Sequence, residues 1–200
     1  MDPPDDLPQS KIIEPDFLLA AYAGGYFPMA DSREGPLRWF SPDPRAIIPL
    51  DTFACSRSLQ QTLKKNTFTQ KVNTAFEEVM RRCGARDETW ISEEIVESYM
   101  ELHRRGFAHS VETWSEGKLA GGLYGVALGA AFFGESMFSD RRDASKVALV
   151  WLVERLRSNG FELLDTQFLT PHLARFGACE IPREEYLRRL TTAVSKQTLF

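Results

Sequence analysis

Apolar residues recur at helical spacing in some stretches of the chain and every second residue in others, and that contrast divides it into elements. DASKVALVWLVERLRSNG, residues 143–160, sets Leu149, Leu152, Val153 and Leu156 on one face and ends at Gly160, the pattern of a helix with one buried stripe. Two helices are expected earlier: NTAFEEVMRRCG (73–84), capped by Asn73 or Thr74, and SEEIVESYMELHRRG (92–106), capped by Ser92, each closed by a glycine. Between these and the long helix, AHSVETW (108–114), KLAGGLYGVAL (118–128) and AAFFGESMF (130–138) read as strands joined by a Ser-Glu-Gly turn and a tight turn at Gly129. Upstream, SRSLQQTLKK (56–65) reads as a helix and TFTQKV (67–72) as a strand with Phe68, Gln70 and Val72 to one side. EPDFLLAAYAGGYF (14–27) starts a short helix at Pro15 and ends it at Gly24-Gly25. LRWFSPDPRAIIPL (37–50) carries too many prolines for regular structure and is expected as ordered loop and edge strand. After the long helix, FELLDTQFL (161–169) is a strand, followed by PHLARFG and a helix begun by Pro182 that carries Tyr186, Leu187, Leu190 and Val194.

Strand, two helices, three strands, helix, strand, helix is an α+β order that resembles the GNAT acyltransferase fold. That likeness implies a GNAT-like domain over 67–200, a mixed and mainly antiparallel sheet with flanking helices. A small N-terminal region over 1–66 would precede it, its first ten residues an acidic disordered tail. Two hundred residues, 43% of them hydrophobic, suffice for such a core. No apolar run is long enough to cross a bilayer, and the chain starts acidic where a signal peptide would be basic, so a cytoplasmic protein is expected. Cys55, Cys83 and Cys179 are scattered, and His103, His109 and His172 lack ligand spacing, so neither a disulfide framework nor a metal site is suggested, and no cofactor is expected. A net charge of -4 argues against a protein that coats nucleic acid and leaves contact with one end of it open.

The candidate chemistry lies where polar side chains interrupt these apolar patterns. Asp165 and Gln167 stand two apart in a core strand, which in a regular strand puts them on one face with the carboxylate able to orient the amide. Glu135, among Phe132, Phe133, Met137 and Phe138, is an acid in need of a partner. GESMF is like a nucleophile elbow in outline only, since Ser136 falls within a strand and Phe138 replaces the second glycine. SDRRDASK (139–146) holds no glycine with which to cradle a pyrophosphate. Its Arg141, Arg142 and Lys146 either face an anion or are neutralised by Asp140 and Asp143. Trp90, in a turn between helices, has the best claim of the tryptophans to face a ligand.

Taken together, FPMA (27–30), WFSPDPRAIIPL (39–50), TWI (89–91), GGLYGVALGAAFFGESMFS (121–139), ASK (144–146), LLDTQFL (163–169) and FGACEIPREEY (176–186) closely resemble the leucyl/phenylalanyl-tRNA-protein transferases, in the same order from about Phe17 to about Leu190. The resemblance implies transfer of Leu or Phe, and less readily Met, from the 3' end of an aminoacyl-tRNA to the N-terminal amine of proteins beginning with Arg or Lys, marking them for the N-degron route. A monomer is expected, with no membrane partner. Asp165 and Gln167 fall on the family's catalytic pair, and Glu135 on the acid that holds the aminoacyl-adenosine end. Leu123, Phe132, Leu149, Leu152 and Leu164 fall on the side-chain pocket, and Trp90 and Tyr99 near the terminal adenosine. Met29 stands where some members have Trp, and Thr170 where others have Asn. Leu164 would face away from Asp165 and Gln167 in a regular strand. The alternatives are an acyl-CoA-dependent N-acyltransferase, disfavoured by the missing glycine loop, and a tRNA-end-binding protein without catalysis.

Overall fold

The structure is a computed structural model that describes residues 12–200, so the expected acidic tail lies outside the described residues. In chain order its elements are α1 (Pro15–Ala23), β1 (Phe27–Ala30), β2 (Leu37–Phe40), β3 (Arg45–Ile47), α2 (Arg57–Lys64), β4 (Thr69–Val72), α3 (Phe76–Cys83) and α4 (Glu93–Arg104). There follow β5 (Ala108–Ser115), β6 (Lys118–Leu128), β7 (Ala131–Ser139), α5 (Ala144–Ser158), β8 (Leu163–Gln167), α6 (Pro171–Ala174), β9 (Cys179–Ile181) and α7 (Arg183–Val194). Seven strands form one mixed sheet in the order β4-β5-β6-β7-β8-β3-β9; β7 and β8 run parallel and the other pairs antiparallel.

The expected α+β class and the β5-β6-β7 meander are both present. The first hairpin turns through Glu116 and Gly117, both at positive φ, as a two-residue loop between twisted strands requires. Buried residues of α1, α3, α4 and α7 share one apolar cluster, and those of α2 and α5 share another with the opposite faces of β5, β7 and β8. The long helix presses its first turn onto the sheet at Gly121, where an added Cβ would stand 2.6 Å from the Ala144 Cβ.

Three expectations are corrected. The proline-rich segment is more regular than its composition suggests: Leu37–Phe40 pairs with Phe27–Ala30 in a hairpin, and β3 is no edge strand. It lies between β8 and β9, because the prolines flank it and leave its own three residues free to bond on both sides. The third correction concerns the start of α3. Neither Asn73 nor Thr74 caps it; Glu112 of β5 reaches across to accept the N–H groups of Thr74 and Ala75, both at 2.7 Å, along with Ser110 Oγ and Trp114 Nε1.

Candidate active site

The sheet opens at its parallel pair. β7 and β8 are bonded only through Ala131–Leu163, Phe132–Leu164 and Phe133–Asp165, yet β7 continues to Ser139. Two irregularities accompany the parting. β7 carries an extra residue at Glu135, since Tyr124 opposes Ser136 while Gly125 opposes Gly134. β8 carries one at Thr166, since Ala46 opposes Gln167 while Ile47 opposes Asp165. Between the parted strands lies a cavity of about 570 Å³.

Leu123, Leu149, Leu152 and Leu164 line its apolar end, joined by Met137, which the sequence reading had not singled out. Phe132 belongs to the same apolar cluster but is fully buried and is not part of the lining. Trp90, Phe27, Met29, Arg86 and Thr170 also border the cavity. Thr170 Oγ1 accepts the Leu173 N–H at 3.2 Å, so the oxygen in the Asn position caps α6. Tyr99 is fully buried and does not line the cavity; its hydroxyl bonds that of Tyr22.

Glu135 stands on the cavity wall. The Tyr22 hydroxyl, brought in by α1, donates to its Oε1 at 2.7 Å. Burial pushes this carboxyl up to about 8; the Tyr22 bond works the other way, and the nearby Asp165 adds to the rise. The acid's partner is therefore a phenol from the N-terminal part of the chain.

Asp165 and Gln167 do not share a face. Asp165 is fully buried and turned away from the cavity. Gln167 adopts φ +60°, a left-handed backbone that rotates it onto the wall beside Leu164 and Thr166. The bulge thus settles why Leu164 and Gln167 line one cavity. Among the described residues the Gln167 Nε2 has no partner, and neither have the buried polar side-chain atoms of Tyr124, Thr166 and His172, which line the same space.

What holds Asp165 is Arg45, a residue the sequence reading passed over. Its guanidinium forks onto the carboxylate, Nε to Oδ1 at 2.9 Å and Nη2 to Oδ2 at 2.6 Å, and its Nη1 donates to Gly25 O at 3.0 Å. The Tyr186 hydroxyl donates to Oδ2 at 2.8 Å, and the Gln167 backbone N–H to Oδ1 at 2.9 Å. Burial works against the Arg45 charge, and the bonds to Asp165 more than restore it. The only local sign of this pair was an arginine heading the apolar run Ala46-Ile47-Ile48.

Of the basic residues around the start of α5, Arg142 stays exposed and the other two are answered from within. Lys146 pairs with Asp143 at 2.7 Å, and Arg141 reaches Ser115 and Glu116. Asp140 pairs with Arg82 instead of its neighbours. Ser136 lies inside β7, so no nucleophile elbow exists there.

A cavity with one apolar end, a buried acid and an amide with a free N–H group could hold an apolar acyl group for a group-transfer enzyme. The comparisons say which. A family described as "Leucyl/phenylalanyl-tRNA protein transferase" matches residues 47–191, and the corresponding N-terminal domain matches residues 12–43. The chain is 56% identical over 193 residues to the leucyl/phenylalanyl-tRNA-protein transferase of Chlorobaculum parvum, covering 94% of this chain and 100% of that one. It is 56% identical over 192 residues to the transferase of the same name from Herpetosiphon aurantiacus, covering 96% and 100%. The chain belongs to the leucyl/phenylalanyl-tRNA protein transferase family. Among solved structures, L-PGS from Bacillus licheniformis overlays 80% of this chain and 55% of its own at a TM-score of 0.43 and 16% identity, a likeness too loose to argue from. No described helix is long and apolar enough to cross a membrane.

Proposed function

We propose that this enzyme moves Leu or Phe, and less readily Met, from the 3' end of an aminoacyl-tRNA to the N-terminal amine of proteins beginning with Arg or Lys, as a cytoplasmic monomer of GNAT-like fold acting without a cofactor. One observation carries the reading: an apolar pocket of Leu123, Leu149, Leu152, Leu164 and Met137 ends at an amide, Gln167, whose Nε2 has no partner. An unbranched-at-Cβ apolar side chain fits the first, and the reacting ester and amine fall beside the second.

The chemistry asks little of the protein. The ester is already activated, and the attacking α-amino group, with a pKa of about 7.7–8.0, loses its proton near neutral pH at a cost of about 1 kcal/mol. The amine nitrogen bonds to the acyl carbon, the ester C–O bond breaks, and the ribose oxygen leaves with a proton. Gln167 accepts a hydrogen bond from the attacking amine through its side-chain carbonyl and holds it in line, and its unpartnered Nε2 is left to donate to the ester carbonyl oxygen. Glu135 and Trp90 hold the aminoacyl-adenosine end. The absence of glycine from 139–146, together with the Lys146–Asp143 pair at the start of α5, speaks against a bound CoA pyrophosphate.

The test mixes the protein with radiolabelled Phe-tRNA and a Lys-initiated protein, and separately with labelled acetyl-CoA and the same acceptor. Label is expected in the acceptor of the first tube alone. Label from acetyl-CoA would reassign the enzyme to acyl-CoA chemistry, and label in neither would leave a tRNA-end-binding protein.

A further inference from the structure

We propose that Arg45 is a positioning residue for the transfer: by forking onto Asp165 it makes that carboxylate a clamp on the Gln167 backbone, and the clamp aims the Gln167 amide into the cavity. The inference rests on the reading of Gln167 as the group that meets the attacking amine.

A carboxylate has about four lone-pair sites, and here four donors fill them. Oδ1 accepts Arg45 Nε and the Gln167 N–H; Oδ2 accepts Arg45 Nη2 and the Tyr186 hydroxyl. No site remains for the Gln167 side chain, whose Nε2 is unpartnered, and Asp165 does not line the cavity. Asp165 therefore reaches the reaction only through the main chain. The atom it holds there matters, because Gln167 sits at φ +60°, a conformation that costs any residue but glycine and persists only where the surroundings impose it. In a regular strand the side chain of Gln167 would fall on the Asp165 face, away from the pocket.

Arg45 is suited to this and to nothing nearer the substrate. Both it and Asp165 have no exposed surface. Its guanidinium is braced between the rings of Phe27 and Tyr186, 4.8 and 4.4 Å from their centres, and tied to Gly25 O at the end of α1. A flat ion held on every side fixes the carboxylate plane, and the carboxylate plane fixes the Gln167 N–H.

The deciding comparison is Arg45→Gln against the uncharged pair Arg45→Gln/Asp165→Asn, which keeps an acceptor for the Gln167 N–H and leaves no buried charge unpaired. Each is assayed with Phe-tRNA as folded protein, checked by its melting curve, beside Gln167→Ala. Arg45→Gln is expected to lower kcat roughly a hundredfold with KM unchanged, and the pair to recover most of that loss. A folded double variant no more active than Arg45→Gln would overturn the proposal, since the charge of Asp165 would then act on the reaction itself. Should the double variant not fold, Arg45→Lys decides, because it keeps the charge and breaks the fork. A fall in kcat at constant KM supports the clamp, and an unchanged kcat sinks it. A folded, fully active Gln167→Ala protein would instead remove the reading of Gln167 beneath the proposal, and the proposal with it.

Discussion

At Gln167 one residue carries both a conformational cost and an unpaired amide, and both vanish in glycine. Gln167→Gly should therefore raise stability by about 1 kcal/mol, read from denaturant midpoints, while abolishing transfer. A less stable glycine variant would mean that the left-handed backbone is no burden. Glu135 offers a second test. Its carboxyl is raised from the ordinary 4.5 to about 8, so the folded chain holds this proton more tightly than the unfolded one does. Its contribution to stability is then full below about pH 4.5 and is lost as pH rises towards 8. Glu135→Gln should flatten that decline, and melting temperatures at pH 5 and 8 should lie closer together than in the wild type. In the pocket, Leu123→Trp should block Phe transfer more than Met transfer, because overfilling excludes the bulkiest side chain first; equal losses would make Leu123 a core residue only. These residues were unequally legible. Asp165, Gln167 and Glu135 stood out as polar breaks in apolar strands, whereas Arg45 was hidden by its prolines, and nothing in a glutamine announces a positive φ.

Elements whose partners are close in sequence followed from local pattern, and those held by distant ones did not. The repeat from Leu149 to Leu156 and the Glu-Gly turn specify α5 and the β5–β6 hairpin with no outside help. β3 is three residues long and draws its two neighbours from far along the chain, so no window around it could reveal its place. The start of α3 shows the same limit: its cap comes from Glu112, nearly forty residues on. Burial opposes the charge of that carboxyl, but the donors from Thr74, Trp114, Ala75 and Ser110 outweigh it and hold its pKa below the ordinary value. Glu112→Ala leaves two main-chain N–H groups and an indole unanswered, and should cost about 2–4 kcal/mol in a denaturant titration. The sign with pH is opposite to that of Glu135. The stability from Glu112 is present above its unfolded value of 4.5 and is lost as pH falls through its lowered folded value, so the alanine variant should lose less on acidification.

Among the described residues, several of the basic clusters are paired with neighbouring acids. Arg81 pairs with Glu77 and Glu93, Arg82 with Glu78 and Asp140, Arg104 and Arg105 with Glu101, and Arg188 and Arg189 with Glu185. With a net charge of -4 as well, the chain carries no excess of positive charge with which to follow a phosphate backbone. Aminoacyl-tRNA affinity should thus depend only weakly on salt, and aminoacyl-adenosine should serve as a donor; a steep slope of log affinity against log salt would show many phosphate contacts. The seating of β3 between β8 and β9 also has a consequence in time. Arg45 and Asp165 are 120 residues apart, so a ribosome adding about 5–20 residues per second makes the first wait roughly 6–24 s for the second. Until then the arginine has no counter-ion and the sheet lacks the strand on which β3 lies. β3 cannot take its native place on emergence, and the order of synthesis makes the cavity between β7 and β8 one of the last parts of the molecule to close.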